Sequence, residues 1–198
     1  NIQTYFITRG EEFLTVSKRA GGIKWEDLPQ LVLAFEEVQK ATSTKEVVAL
    51  IKSFNLPREC IPTQFLKDKQ VWEALLTTGE GMPMTALIRN LGNLSKNGVL
   101  VDGDFNTIKY IVGKIDNESL LKSAKIHPFT ILTALTTYQQ GHGIKSDATW
   151  PVVGDVVDAL DSAYYKAFSN VEPTNKRYLL GLDVSGSMSG EKIKMLKA

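Results

Sequence analysis

Residues 176–190, KRYLLGLDVSGSMSG, carry the clearest single fold signal in this sequence. Within them, residues 178–182 form an apolar run without alternation, which predicts a strand buried on both faces, as in a parallel α/β sheet. Asp183, Ser185 and Ser187 follow directly, at the end of the strand where open α/β sheets place ligands. Carboxylate and hydroxyl oxygens suit hard divalent cations, so we expect these three side chains to bind a metal ion, most naturally Mg²⁺.

Three other interpretations of this loop stay open. Residues 186–190 match G-x-S-x-G, the nucleophile elbow of hydrolases, with Ser189 as the nucleophile, although no Asp or His follows. A strand followed by Asp183 is also typical of phosphotransferases with an aspartate nucleophile, but Ser185 stands where their acidic Asp would lie. Finally, Ser and Gly are common in turns that carry no chemistry.

The order of strand, acid, two hydroxyl residues and glycine resembles the metal-ion-dependent adhesion site of von Willebrand A domains. In that family a Thr and an Asp from later loops complete the site. Because the sequence ends at Ala198, we expect Asp183, Ser185 and Ser187 to form a half-site without those later ligands.

The composition is that of an ordinary soluble globular protein of one or two domains, with 43% hydrophobic and 23% charged residues among 198. A net charge of +1 argues against binding to nucleic acid that is driven by overall charge, but a local basic face is still possible.

The start lacks both Met and a signal peptide, which suggests the middle of a longer protein. The single cysteine, Cys60, suits a reducing compartment, so we expect a cytoplasmic location, with the nucleus as well if the source is eukaryotic.

Residues 1–170 predict helices joined by short loops. Capping residues and apolar periodicity mark the tail of a helix at 1–8 and further helices at 11–20, 25–41, 44–54, 69–78, 84–96, 105–115, 118–124, 129–140 and 152–168. This rhythm is typical of stacked helical hairpins, as in HEAT-type solenoids, with an irregular α-bundle as the alternative. The pattern breaks after residue 170, where we place a domain boundary, and residues 189–198 predict the first helix after the strand.

Several blocks of the sequence resemble one family. They are MPMTALIRNLG at 82–92, KIHPF at 125–129, TYQQGHG at 137–143, ALDSAYYK at 159–166 and VEPT at 171–174, ahead of the Asp183 loop. Together and in this order they are similar to the Ro ribonucleoprotein autoantigen family, in which a TROVE module of HEAT-like repeats precedes a von Willebrand A domain. The resemblance implies that residues 1–170 are the C-terminal part of the TROVE module and residues 171–198 the start of the A domain.

The same resemblance implies a non-enzymatic RNA-binding protein of small noncoding ribonucleoprotein particles. Such a protein binds Y RNAs and the ends of misfolded RNAs and acts in RNA quality control. The main helices that contact Y RNA in this family lie upstream of the matching blocks, so we expect weaker RNA binding by this chain alone.

Candidate RNA contacts are polar or basic residues at helix faces and loops. Arg89 and Asn90 interrupt an apolar helix and suit a phosphate or a base edge, although polar groups inside repeats more often bond within the protein. The cluster at the end of the predicted helix 118–124 and in the loop after it offers cations that suit RNA phosphates, although the helix dipole alone also favours them there; it consists of Lys122, Lys125 and His127.

A second loop candidate is His142, which lies between two glycines with Lys145 close behind. Aromatic side chains are able to stack on bases, but their helical spacing predicts core positions for Trp25, Trp72, Phe105 and Phe129. A different function class also stays open, in which helices and A domain form a protein-binding scaffold with metal-dependent ligand binding and no RNA.

Overall fold

The computed structural model describes residues 29–101, 103–143, 147–183 and 185–186, and the regular structure in these ranges is mainly helical. In these ranges the α-helices are α1 Gln30–Lys40, α2 Thr44–Phe54, α3 Lys69–Thr77, α4 Met84–Lys96, α5 Phe105–Ile115, α6 Glu118–Ser123, α7 Pro128–Gln139 and α8 Gly154–Lys166. Short 3₁₀ turns lie at Arg58–Cys60, Phe65–Lys67 and Ala167–Asn170. Within the same ranges, no helix is both long enough and apolar enough to cross a membrane.

The predicted mainly α class is confirmed for the part of the chain that the structure describes. The helices predicted at 1–8, 11–20 and 189–198, and the start of the one predicted at 25–41, lie outside the described residues. The chain divides into two compact units, residues 1–82 and 83–198. The described helices end at Asn170, and the predicted domain boundary after this residue stays a prediction.

In the first unit, α2 packs against both α1 and α3. The Ser43 hydroxyl begins α2 by accepting the N–H of Glu46 at 3.4 Å. Asp68 begins α3, and its Oδ2 also accepts the hydroxyl of Thr44 at 2.8 Å, which joins the starts of α2 and α3. Their apolar faces meet in a core that contains Val38, Val47, Ile51, Val71 and Trp72. Local capping and side-by-side packing therefore agree, as the sequence predicts for helical repeats.

In the second unit, α8 packs against α5 and α7, and α4 packs against α7. Asp104 begins α5 as predicted, because its carboxylate accepts the N–H of Thr107 at 3.2 Å, and Asn117 begins α6 in the same way. The Asn170 amide donates at 3.0 Å to the Leu121 carbonyl of α6 and at 2.9 Å to the Ile126 carbonyl after that helix, which joins the last 3₁₀ turn to this part of the unit. The core of this unit contains Leu87, Leu94, Ile111, Ile131 and Leu160.

The largest difference from the predicted helix bounds within the described residues is at α8, whereas the ends of α3, α6 and α7 differ by a single residue. Residues 152–168 were predicted to be helical, but α8 begins at Gly154 and gives way to a 3₁₀ turn at Ala167. Pro151 is consistent with an extended approach, and the backbone N–H of Val153 donates to the buried Tyr138 hydroxyl at 3.3 Å. That tertiary bond holds residues 151–153 outside the helix, so packing and not propensity decides where α8 starts.

The predicted buried strand at 178–182 is not found in this structure. Residues 171–183 contain neither helix nor strand, and the side chains of Leu179 and Leu180 are 99% and 81% exposed. A strand needs a neighbour for its N–H and C=O groups, and among the described residues no segment pairs with this one. The parallel sheet of a von Willebrand A domain therefore stays a proposal.

Candidate nucleic-acid interface

A cleft of about 410 Å³ opens in the second unit between α4, α7 and residues 148–150. Arg89, Gly92 and Asn93 of α4 lie on one side, together with apolar neighbours of the same helix. The opposite side comes from α7, with one aromatic ring and three threonines at its surface: Phe129, Thr130, Thr133 and Thr137. Trp150 closes the end of the cleft, and no lining residue is acidic.

Trp150 is fixed in the cleft wall by its backbone and by its indole. Its N–H donates to the Gly141 carbonyl at 2.9 Å, and the indole Nε1–H donates to the Tyr138 carbonyl at 3.1 Å. The ring lies so close to α4 that a Cβ built on Gly92 would meet three of its atoms at 3.0 Å. Only glycine leaves room for the ring at this position of α4, so Gly92 is a packing residue within the helix.

A buried hydroxyl pair supports this wall. The Tyr138 hydroxyl lies 2.8 Å from the hydroxyl of Ser95 on α4, and both residues are buried. This contact joins α4 to α7 behind the cleft, and Tyr138 also accepts the N–H of Val153. The hydroxyls of Ser95 and Tyr138 thus both have hydrogen-bond partners, as burial requires. These bonds hold α4 and α7 together on the buried side of the cleft.

Arg89 and Asn90 are neighbours in sequence but point to opposite environments. Asn90 is 7% exposed; its amide donates to the Ala86 carbonyl at 2.8 Å and its oxygen accepts from the Asn93 amide at 2.9 Å. Arg89 is exposed and lines the cleft, and among the described residues none forms an ion pair or hydrogen bond with its guanidinium. The geometry therefore favours Arg89 over Asn90 as an RNA contact, and both assignments stay predictions.

The prediction that the aromatic residues are core is correct for Trp72 and wrong for two phenylalanines. Trp72 is buried, and its indole donates to the Leu66 carbonyl at 2.8 Å. Phe129 is 55% exposed and Phe105 is 78% exposed. Both phenylalanines lie in the first turn of a helix, and neither belongs to the buried residues of that helix. Phe129 reaches the cleft, and Phe105 does not line it. Trp25 lies outside the described residues.

The basic corner, defined here as Lys122, Lys125 and His127, lies between α6 and α7. His127 is the residue before α7, and its ring Nδ1 accepts the N–H of Phe129 at 3.1 Å. This bond leaves the other ring nitrogen to carry the proton. Lys125 has a left-handed φ of 50°, and its N–H donates to the Lys122 carbonyl at 3.1 Å as α6 ends. All three side chains are exposed. His127 directly precedes α7, and Phe129 in the first turn of α7 lines the cleft, so the basic corner is next to the cleft along the chain.

His142 pairs through a single antiparallel bridge with Thr149, and its ring nitrogen lies 3.3 Å from the Gly143 carbonyl. This bridge also positions Trp150, one residue after Thr149. The predicted contact Lys145 lies outside the described residues. His142 therefore has a structural role in the segment that closes the cleft, and its RNA contact stays a prediction.

Two of the three predicted metal ligands lie in the described part of the chain. Asp183 Oδ1 accepts the N–H of Ser185 at 2.9 Å, and the backbone and side-chain hydrogen bonds from Ser185 hold the pKa of the Asp183 carboxyl below its ordinary value. Ser187 lies outside the described residues. Among those that are described, no three His, Cys, Asp or Glu side chains group closely enough to hold a metal ion.

Sequence reasoning missed Trp150 and the threonines of α7. The threonines carry no distinctive pattern, since Thr130 and Thr133 also fit an ordinary helix surface. A signal for Trp150 was nonetheless present in Gly92, because a glycine inside a strongly helical segment indicates close packing by a large group. The sequence does not say which residue that group is, because Trp150 is distant along the chain.

The described part of the chain is a set of packed helices with a cleft that is lined by one arginine and by aromatic side chains. A family model for the TROVE domain matches residues 30–137, and the chain belongs to this family. The resemblance to Ro proteins is thereby confirmed.

The chain is 43% identical over 159 residues to "RNA-binding protein RO60" of Caenorhabditis elegans, a match that covers 80% of this chain and 24% of that relative. It is 40% identical over 150 residues to the protein of the same name from Deinococcus radiodurans, with 76% and 28% covered. The crystal structure of the Deinococcus radiodurans RO (RSR) protein matches with a TM-score of 0.73 at 37% identity, covering 85% of this chain and 34% of that one. The chain thus spans about a quarter of the length of these curated relatives. Both relatives are named for RNA binding and not for an enzyme activity.

Proposed function

We propose that this chain is an RNA-binding segment, and that the cleft around Arg89 is its main contact with RNA. The observation that carries the proposal is the combination of an exposed guanidinium, an exposed phenylalanine and the absence of acidic residues from the cleft lining. Guanidinium groups bind phosphates in a planar, bidentate geometry, and aromatic rings stack on bases. The names of the two curated relatives support the same class of ligand.

The proposal extends to the kind of RNA and to the cellular role. We propose that the ligands are small noncoding RNAs, both Y RNA-like molecules and the ends of misfolded RNAs, and that the protein acts in ribonucleoprotein particles and RNA quality control in the cytoplasm. The support is the resemblance carried by the blocks between residues 82 and 174. A net charge of +1 fits recognition by a few placed contacts and not by a broad basic surface.

A salt titration tests the proposal. The affinity of the chain for a single-stranded RNA should fall as salt rises, with a slope of log K against log salt of about −0.7 for each phosphate contact. Arg89→Ala should weaken binding and reduce the slope by about that amount. Lys52→Ala, an exposed lysine on α2 outside the cleft, is the control and should change neither quantity. Equal effects of both substitutions would exclude Arg89 as a specific contact.

The basic corner has its own test because the backbone at Lys125 favours glycine. At a φ of 50°, a side chain is strained by about 1 kcal/mol, so Lys125→Gly should leave the fold intact while it removes an ammonium group. If the corner binds phosphate, this variant should bind RNA more weakly than the wild type, although its melting temperature should be the same or slightly higher. Unchanged RNA affinity would show that Lys125 only ends α6.

We also propose that Asp183, Ser185 and Ser187 bind a divalent cation, Mg²⁺ by donor chemistry. The support is the donor chemistry of the described residues: Asp183 is exposed, its carboxylate accepts the N–H of Ser185 at 2.9 Å, and Ser185 adds a hydroxyl oxygen. The cation would offer its open positions to a carboxylate or phosphate of a partner. Addition of Mn²⁺ should broaden the NMR signals of Asp183 and Ser185, and Asp183→Asn should abolish the broadening; broadening in the variant would contradict the assignment.

A protein-binding scaffold is the second candidate function, and the exposed apolar side chains at 178–182 favour it. Such a surface is typical of a segment that pairs with another polypeptide. The two functions respond differently to solution conditions. A metal-bridged protein contact should disappear with a chelator, whereas RNA binding through the cleft should persist with a chelator and weaken with salt.

A further inference from the structure

The only Asn-Gly pair in this sequence, Asn97-Gly98, lies directly after α4. An asparagine before glycine is especially prone to deamidation, because glycine has no side chain that would hinder attack by its backbone nitrogen on the neighbouring amide. Both residues are partly exposed, so water reaches them. The sequence therefore provides a reactive pair, and the structure around it decides when the pair reacts.

The reaction balances with water as the only other reactant. The Gly98 nitrogen, after it loses its proton to solvent base, attacks Cγ of Asn97, and a new N–C bond forms. The bond from Cγ to Nδ2 breaks, and this nitrogen takes up a proton and leaves as ammonia. Water then opens the resulting succinimide ring at either carbonyl, which gives aspartate or isoaspartate at position 97. In isoaspartate the main chain runs through Cβ and is longer by one carbon.

The folded chain holds both reacting groups in other hydrogen bonds. The side-chain amide of Asn97 donates to the Asn93 carbonyl at 2.7 Å, which directs it towards the preceding turn of α4. The Gly98 N–H donates to the Ser95 carbonyl at 3.1 Å, and its left-handed φ of 71° is that of the glycine in a Schellman motif. Attack on the amide therefore requires that the last turn of α4 opens first.

Buried contacts keep this last turn closed. The N–H groups of Val99 and Leu100 both donate to the Leu94 carbonyl, at 2.9 and 3.2 Å, and all three side chains are buried. Ser95 is buried as well, and its hydroxyl lies 2.8 Å from the Tyr138 hydroxyl on α7. Opening the end of α4 thus breaks contacts within the core of the second unit, so it should be infrequent.

We propose that Asn97 is a deamidation site that the fold protects, and that its modification releases the end of α4 from the core. Isoaspartate lengthens the main chain just before Val99 and Leu100, so their N–H groups no longer align with the Leu94 carbonyl. Aspartate cannot donate to the Asn93 carbonyl, and it places a negative charge at the C-terminal end of the helix dipole. Either product destabilises the second unit. The proposal does not depend on RNA binding.

The test follows the reaction in the folded chain and in the same chain unfolded by guanidinium chloride, at one pH and temperature. Peptide mapping by mass spectrometry measures the product at position 97, and electron-transfer fragmentation separates isoaspartate from aspartate. The folded chain should react at least about tenfold more slowly than the unfolded chain, as expected for a reaction that requires local opening. Asn106 is the internal control: it is exposed, but the β-branched Thr107 hinders the same attack, so it should stay unmodified in both states.

A pair of variants tests whether the contact with α7 controls the reaction. Ser95→Ala removes the hydroxyl that contacts Tyr138, so the folded chain should react about two- to tenfold faster, the range expected for the loss of one hydrogen bond. The matched control is Ser123→Ala, which removes an exposed hydroxyl that donates to the Leu120 carbonyl of α6, and it should have no effect. Circular dichroism checks that both variants are folded. Equal rates in the two folded variants would contradict a role for the contact with α7.

The remaining outcomes separate the site from its protection and from its consequence. No product at Asn97 in denaturant would exclude the site, and equal rates in the folded and unfolded chain would exclude protection by the fold. The purified isoaspartate form should melt at least about 2 °C below the unmodified chain. An unchanged melting temperature would overturn the release of α4. A slow folded-state reaction that Ser95→Ala accelerates, with a product of lower melting temperature, is the expected result.

Discussion

Residues 29–170 and residues 171–183 both contain apolar segments, but only the first region buries them. Leu160 of α8 is fully buried, whereas Leu180 is 81% exposed. A helix satisfies its own backbone hydrogen bonds, so α8 needs only a surface on which to pack its apolar face. A strand must find a partner for its backbone as well as for its side chains. The contrast shows why leucine is buried in one region and exposed in the other. A helix forms its backbone hydrogen bonds within its own segment, whereas a strand needs a second segment to form them.

The largest expected effect comes from truncating one leucine in each region. Leu160→Ala should lower the free energy of unfolding by about 3 kcal/mol, because it leaves a cavity between α8 and its neighbours. Leu180→Ala should change it by less than about 0.5 kcal/mol. Urea unfolding followed by circular dichroism measures both values. A substantial loss in Leu180→Ala would show that the 178–182 segment packs on the helices in solution.

A chemical probe sharpens the same contrast through thiol reactivity. Burial, with a smaller contribution from the Glu59 carboxylate, raises the pKa of the Cys60 thiol to about 11. At about pH 8 the thiolate population of Cys60 should therefore be about a hundredfold smaller than that of an ordinary cysteine. In Leu180→Cys, a thiol reagent should react in two phases, fast at position 180 and slow at Cys60. A single fast phase would mean that the helical region opens readily.

Two helical glycines test whether close packing or conformational freedom dominates. Gly92→Ala should destabilise the protein by about 1 kcal/mol, because the new methyl group meets the Trp150 ring and the resulting strain exceeds the gain in helix propensity. Gly113→Ala on α5 meets no atom within 4 Å and should instead stabilise by about 0.5–1 kcal/mol. Thermal unfolding of both variants gives the sign. Stabilisation by Gly92→Ala would show that the Trp150 wall yields easily.

The smallest expected effect concerns the partly exposed ion pair between α8 and the end of α5. Lys166 Nζ lies 2.6 Å from Asp116 Oδ1, and side-chain hydrogen bonds from Lys166 and Ser162 hold the pKa of the Asp116 carboxyl below its ordinary value of 3.8. Its stabilising contribution is thus present above that value and is lost as pH falls through the lower folded-state value. Asp116→Asn should cost about 0.5 kcal/mol at neutral pH, with solvent screening keeping the effect small.

The difference in stability between wild type and Asp116→Asn should shrink below about pH 4 as the carboxylate becomes protonated. Asp158→Asn, on the exposed face of α8, is the matched control and should show no such dependence. A constant difference across the acid range would attribute the effect to packing and not to the charge of Asp116.

Much of the helical region was predictable because its signals are local. Ser43, Asp68, Asp104 and Asn117 begin helices where the sequence predicts, since each cap uses an oxygen within three residues of the N–H that it accepts. The candidate site was only partly predictable. Arg89 could be identified as a candidate from the sequence because it interrupts an apolar pattern. The exposure of Phe129 could not be predicted, because it depends on how the first turn of α7 packs against α4.

The sequence by itself determined the helices, the family and the oxygen-donor pattern of the Asp183 loop, because these depend on neighbours along the chain. Only the tertiary structure decided that Arg89 faces a cleft and that Trp150 packs on Gly92 to close that cleft. These arrangements depend on contacts between residues tens of positions apart. No local pattern encodes such distances, and packing in three dimensions therefore selects which polar and aromatic side chains a ligand can reach.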